Sequence, residues 1–280
     1  MAVMNILRSV RRAMRPEWTV LTAAVLLPFG LARAQGTAAN GTAKPRMMAQ
    51  DANPDWEVAT VRPSNPDDAN GQRIRFRGRY VMLLDHTVED ILLIGYGVQK
   101  SQLAGEPDWV NTERWDVEGI PDVEGEPSMR QLQAMMQKIL VERFALKLHH
   151  EQRVIPVFAL TVAKGGPKMT PDATDPNGWM HQQNNEANGR DVENLKNASM
   201  PDLAQILQFR VDRPVVDQTG LKGRFDFKLQ WTTDDAQAPQ PDAPPGLFTA
   251  IQEQIGLKLE RVKAPADVLV IDHVQRPGAN

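Results

Sequence analysis

The chain echoes itself, and that constrains its fold more than any motif it carries. Thr87 to Leu92, Arg114 to Val117, residues 129–141 and Leu146 to Leu148 are followed, in the same order, by Ser199 to Leu203, Arg224 to Phe227, residues 247–255 and Leu257 to Leu259. Matching points lie about 110 residues apart each time, a constancy that unrelated motifs would not keep. The pattern predicts an α+β fold built from an internally duplicated module, each half carrying two helices packed on an antiparallel or mixed sheet in a βαββαβ-like order. The expected boundaries are a leader over 1–34, a spacer over 35–54, a first repeat over 55–165, a polar linker over 166–197 and a second repeat over 198–277.

Local signals set the elements. Thr87 with Asp90, Ser128 with Gln131, and Ser199 with Asp202 have the spacing of capping boxes, and Pro201 suits the first turn of a helix. Behind them Leu132, Met135, Met136, Ile139 and Leu140 fall on one helical stripe, as do Leu247, Ile251 and Ile255, so these side chains are expected in a core. Strands are expected at 56–61, 157–162, 225–231 and 268–271, where β-branched and aromatic residues concentrate. Residues 35–54, 165–196 and the proline-rich 236–245 are polar or Pro-rich and read as mobile segments.

The first residues carry Arg8, Arg11, Arg12 and Arg15 ahead of an apolar run from Thr19 to Ala32, which is short for a membrane span. Ala32-Arg33-Ala34 then offers the small-x-small form of a cleavage site, so export with cleavage after Ala34 is expected, and a retained signal anchor is the alternative. Removing five arginines and one glutamate from 32 basic and 35 acidic residues leaves 27 against 34, a formal charge of −7. Such a surface repels phosphate backbones and anionic lipid, which argues against nucleic acid, and no membrane span is expected in the mature chain. With no cysteine, neither disulfides nor thiol chemistry are open to it.

Candidate chemistry is sparse. His149 and Glu151 should share one face of a strand, and Asp272 and His273 could join them if the two strands were neighbours, giving a metal or acid–base site. An exposed polar ladder across a sheet accounts for the same four residues, and on that reading the chain has no catalytic residue and no metal. Gly220 and Gly223 have the spacing of a backbone-gripping loop but lie between expected strands, where a tight turn explains them, closed by Asp217 and Thr219. Arg73, Arg75, Arg77 and Arg79 alternate with apolar residues as on a strand with one solvated face, the other reading being an anion site. No nucleophile elbow, zinc-peptidase helix motif or cofactor-binding motif is present.

Four motifs together carry a resemblance: Trp56 to Ser64, Arg143 to Glu151 with Val162 to Lys168, Asp212 to Leu221, and Val270 to Pro277. They are similar to motifs of an exported domain-of-unknown-function family, of the "Soli" type, much expanded in soil Acidobacteria. No activity is established there, so the resemblance implies no catalytic residues and no cofactor. Members resemble domains encoded beside, or fused to, membrane metallopeptidase sensors, which implies an envelope membrane protein of that type as partner and a sensing or binding role. The expectation is therefore a non-catalytic extracytoplasmic binding or interaction module for a peptide, a glycan or a membrane protein. Its alternative is a hydrolase of cell-wall or extracellular polymer using His149, Glu151, Asp272 and His273.

Overall fold

The computed structural model describes residues 46–68, 70–173, 180–187, 189–232 and 244–278. The expected leader with its expected cleavage position, most of the expected spacer and most of the 236–245 segment lie outside the described residues. Each predicted helix start is present as a full capping box, in which the Thr87, Ser128 or Ser199 hydroxyl accepts from the third backbone N–H and the third side chain accepts from the cap N–H. These open α1 (Val88–Tyr96), α2 (Met129–Phe144) and α3 (Met200–Gln208). A fourth helix, α4 (Leu247–Ala250), runs on as a π-helix over Ile251–Ile255. Gly256 ends it at φ +71°, where a Cβ would strike the Gly166 carbonyl.

The expected duplicated α+β module does not form. Twelve strands in three four-stranded sheets outweigh four α-helices among the described residues, and the molecule is mostly β. One outer sheet is antiparallel, in the order β1 (Trp56–Pro63), β5 (Arg114–Pro121), β3 (Tyr80–Thr87), β2 (Arg73–Arg77). The other, also antiparallel, runs β7 (Thr170–Asp172), β11 (Arg224–Thr232), β9 (Arg190–Ala198), β8 (His181–Ala187). Between them lies β10 (Val215–Asp217), β6 (Lys147–Val162), β12 (Leu257–His273), β4 (Leu103–Ala104), with β6 and β12 antiparallel and each short strand parallel to its long neighbour.

The central pair is what prevents two self-contained modules. Sixteen residues of strand span roughly 50 Å, long enough for β6 to begin against the core of the first lobe at Leu148 and end in the core of the second. Phe158 and Leu160 of β6 are buried in the core formed by β9, β11, α3 and α4, while Leu269 and Ile271 of β12 are buried in the core formed by β3, β5, α1 and α2. Each lobe is thus completed by the far end of a strand that enters from the other.

Residues 166–197, expected as a polar linker, carry β7, β8 and most of β9. Asp191, Glu193 and Leu195 are the buried residues of the alternation in β9, so acids occupy positions where the sequence pattern looks for apolar side chains. Glu193 is satisfied by Gln182 Nε2 at 2.7 Å, Asn184 Nδ2 at 2.9 Å and Arg210 Nη2 at 3.4 Å. Both oxygens of this buried carboxylate therefore have hydrogen-bond donors.

The echoed Arg-x-Asp stretches have a local role. Asp85 at φ +62° sits where the β3 register slips, its N–H donates to Asp116 Oδ1 (3.0 Å), and Arg114 Nη1 donates to its carbonyl (2.7 Å). In the other lobe Asn197 at φ +55° donates to Asp226 Oδ1 (2.9 Å) and accepts from Arg224 Nη1 (3.0 Å). In both places the pair holds a left-handed residue, a conformation that costs energy without such support.

Candidate functional site

A groove of about 380 Å³ opens between the two lobes over the central sheet. One wall is a stripe of α3, where Pro201, Ala204, Gln205 and Gln208 recur at helical spacing, and the rest comes from Gly97, Gln102, Gln152, β10 and residues 265–267 of β12. Glutamine amides join its parts. Gln208 Nε2 donates to the Gly97 carbonyl at the end of α1 (2.6 Å), and its Oε1 accepts from Val215 N (3.3 Å). Gln99 Nε2 donates to the carbonyls of Gln208 and Val211, and Gln102 Nε2 donates to the Asp267 carbonyl (2.9 Å). Gln102 and Gln208 are buried, so each must have its amide satisfied, and together these bonds fix α1, α3, β10 and β12 around the opening.

Among the described residues, Asp217 and Asp267 are the only charged side chains lining the groove. Asp217 Oδ1 accepts from Thr219 N (2.9 Å) and Oγ1 (2.7 Å), the turn closure expected from sequence; Gly220 and Gly223 follow at φ +69° and +95°. Asp267 Oδ2 accepts from His150 Nδ1 (2.6 Å) and Oδ1 from Gln152 Nε2 (3.4 Å).

The sequence-derived residues gather elsewhere. In β6 and β12, Val270 pairs with His149, and the His149 ring lies between two carboxylates, with Nδ1 2.9 Å from Asp272 Oδ1 and Nε2 3.1 Å from Glu151 Oε1. His150 turns the other way, to Asp267. His273, opposite Lys147 beyond a register shift, stands outside the cluster. So three of the four meet. Their side chains are 48%, 41% and 49% exposed for His149, Glu151 and Asp272, and none lines the groove.

Asp272, then Glu151, raises the His149 pKa above its ordinary value, while Arg153, then His149, holds Glu151 below the usual carboxylate range. Carboxylates beside both nitrogens favour the protonated ring, in which each nitrogen donates. It then has no lone pair with which to bind a metal or accept a proton. No group of three His, Asp or Glu residues among the described residues has an arrangement suited to a metal ion.

Sequence reading missed the groove because its functional groups are glutamines. Gln99 with Gln102 and Gln205 with Gln208 share a three-residue spacing, and that recurrence of amides at the ends of two apolar helices was the only signal available. No helix among the described residues is long and apolar enough to cross a membrane. Neither the curated proteins nor the solved structures contain a match to the chain. Residues 89–274 match a family model described as protein of unknown function (DUF3738).

Proposed function

The chain belongs to the DUF3738 family of proteins of unknown function, and we propose that it works outside the inner membrane as a non-catalytic binding module whose ligand occupies the groove between its lobes. The observation that carries this reading is the groove itself: an opening bordered by side-chain amides, backbone edge and two carboxylates, held by hydrogen bonds from both lobes. Such a lining recognises a ligand through many weak directional contacts and supplies no nucleophile–base pair. Export rests on the basic start, the short apolar run and Ala32-Arg33-Ala34. The resemblance to domains associated with metallopeptidase sensors favours an envelope membrane protein of that kind as partner.

A hydrolase is the second reading, favoured by the convergence of His149, Glu151 and Asp272. Against it stand the exposure of all three side chains and the double clamping of the ring. The mature protein, expected to begin at Gln35, can be immobilised and offered envelope extract in three forms: unmodified, Gln205→Trp and His149→Ala/Glu151→Ala. Gln205 is exposed on the groove wall, so a tryptophan there obstructs the groove without opening a core. The reading expects the same material to be retained by the unmodified protein and the double variant and lost by Gln205→Trp. Retention that ignores Gln205→Trp, or that fails only in the double variant, would overturn it.

A further inference from the structure

Resting on that reading, we propose that the ligand is an extended peptide segment with a basic side chain, which adds as a strand along β10. β10 is the outermost strand of the central sheet. Phe158 N donates to the Pro214 carbonyl and Gln218 N to the Leu160 carbonyl, so alternate residues 214 and 218 face β6. By the two-residue period of a strand, Val215 and Asp217 direct their backbone groups away from β6. Of these groups, Val215 N is held by Gln208 Oε1 at a long 3.3 Å. The Val215 carbonyl and both backbone groups of Asp217 have no backbone partner among the described residues. Val215, Val216 and Asp217 all line the groove, so the open edge and the cavity are one surface.

Charge and shape of the lining narrow the occupant. Asp217 and Asp267 face the groove and no lysine or arginine among the described residues does, so a cationic side chain is attracted and an acidic one repelled. Asp217 commits Oδ1 to its own turn and leaves Oδ2 for a ligand. Gln152 and Gln205, both exposed, offer donors and acceptors that match amide groups, and no aromatic ring among the described residues lines the groove to stack on a sugar face. Main-chain pairing gives such a complex its affinity, and the carboxylates give it its preference.

The test uses the mature protein, isotope-labelled, with a capped pentapeptide Val-Thr-Lys-Val-Thr, the same peptide with glutamate in place of lysine, and a form methylated on alternate backbone nitrogens. The amide signals of residues 215–217 are expected to shift with the lysine peptide, and binding is expected to weaken about tenfold or more with glutamate, with methylation, or in Asp217→Asn. Asp217→Asn keeps the Oδ1 acceptor of the Thr219 turn, and an unchanged melting temperature verifies that its fold is intact. The proposal is overturned if residues 215–217 do not respond at millimolar peptide, or if binding is indifferent to backbone methylation or to the lysine. If peptides fail while retention of envelope material still depends on Gln205, only the peptide class falls and the groove reading stands.

Discussion

At His86 the first lobe buries an imidazole completely, facing Asp90, Arg114 and Asp116, with neither ring nitrogen in a well-formed hydrogen bond. Burial pushes its pKa down from 6.5 to about 4, a shift that Asp90 and a weak interaction with the Leu84 backbone only partly oppose. The folded pKa is depressed, so as pH falls below about 6.5 the unfolded chain takes up a proton that the folded chain refuses. Stability is therefore lost between about pH 6.5 and 4, by about 3 kcal/mol in all. His86→Leu should be at least as stable at neutral pH and should lose much less stability over that interval, as urea unfolding at pH 7 and 4.5 will report. An identical pH dependence in the variant would exclude His86 as the cause. His149 behaves in the opposite sense: its raised pKa stabilises the folded state at low pH, and that contribution disappears as pH rises through the folded value.

Helix starts and strand cores were legible in the sequence because each has a local cause. A hydroxyl three residues before a carboxylate or amide caps a helix wherever it occurs, and all three boxes are present. The alternation that places His149 with Glu151 on one face holds as well. The extent of β6 and β12 was hidden, because their middle portions leave Val154 and Val262 exposed and carry no burial pattern from which to read a strand. β9 was hidden for the opposite reason, having acids on its buried side. The exchange of strand ends between lobes also gives a prediction for these elements. A fragment ending at residue 165 lacks Leu269 and Ile271, which are buried in its core, and burying two such side chains stabilises by about 3 to 6 kcal/mol, comparable to the whole margin of a domain. Residues 46–165 alone should show no cooperative melt by circular dichroism, and a sharp melt like that of the full chain would show that the first lobe folds without β12.

On the scale of the whole molecule, the two lobes are tied by β6 and β12, and the amides of Gln99, Gln102 and Gln208 tie them again around the groove. That second connection makes the groove the place where a ligand would touch both lobes at once, and protecting one surface from solvent is a signature that exchange can read. The most direct measurement is hydrogen–deuterium exchange on the mature protein, alone and bound to the envelope material it retains. Slowed exchange confined to residues 97–102, 201–217 and 265–267 is the predicted result. Protection centred on residues 147–153 and 270–273 would contradict it and move the functional surface to the His149 cluster.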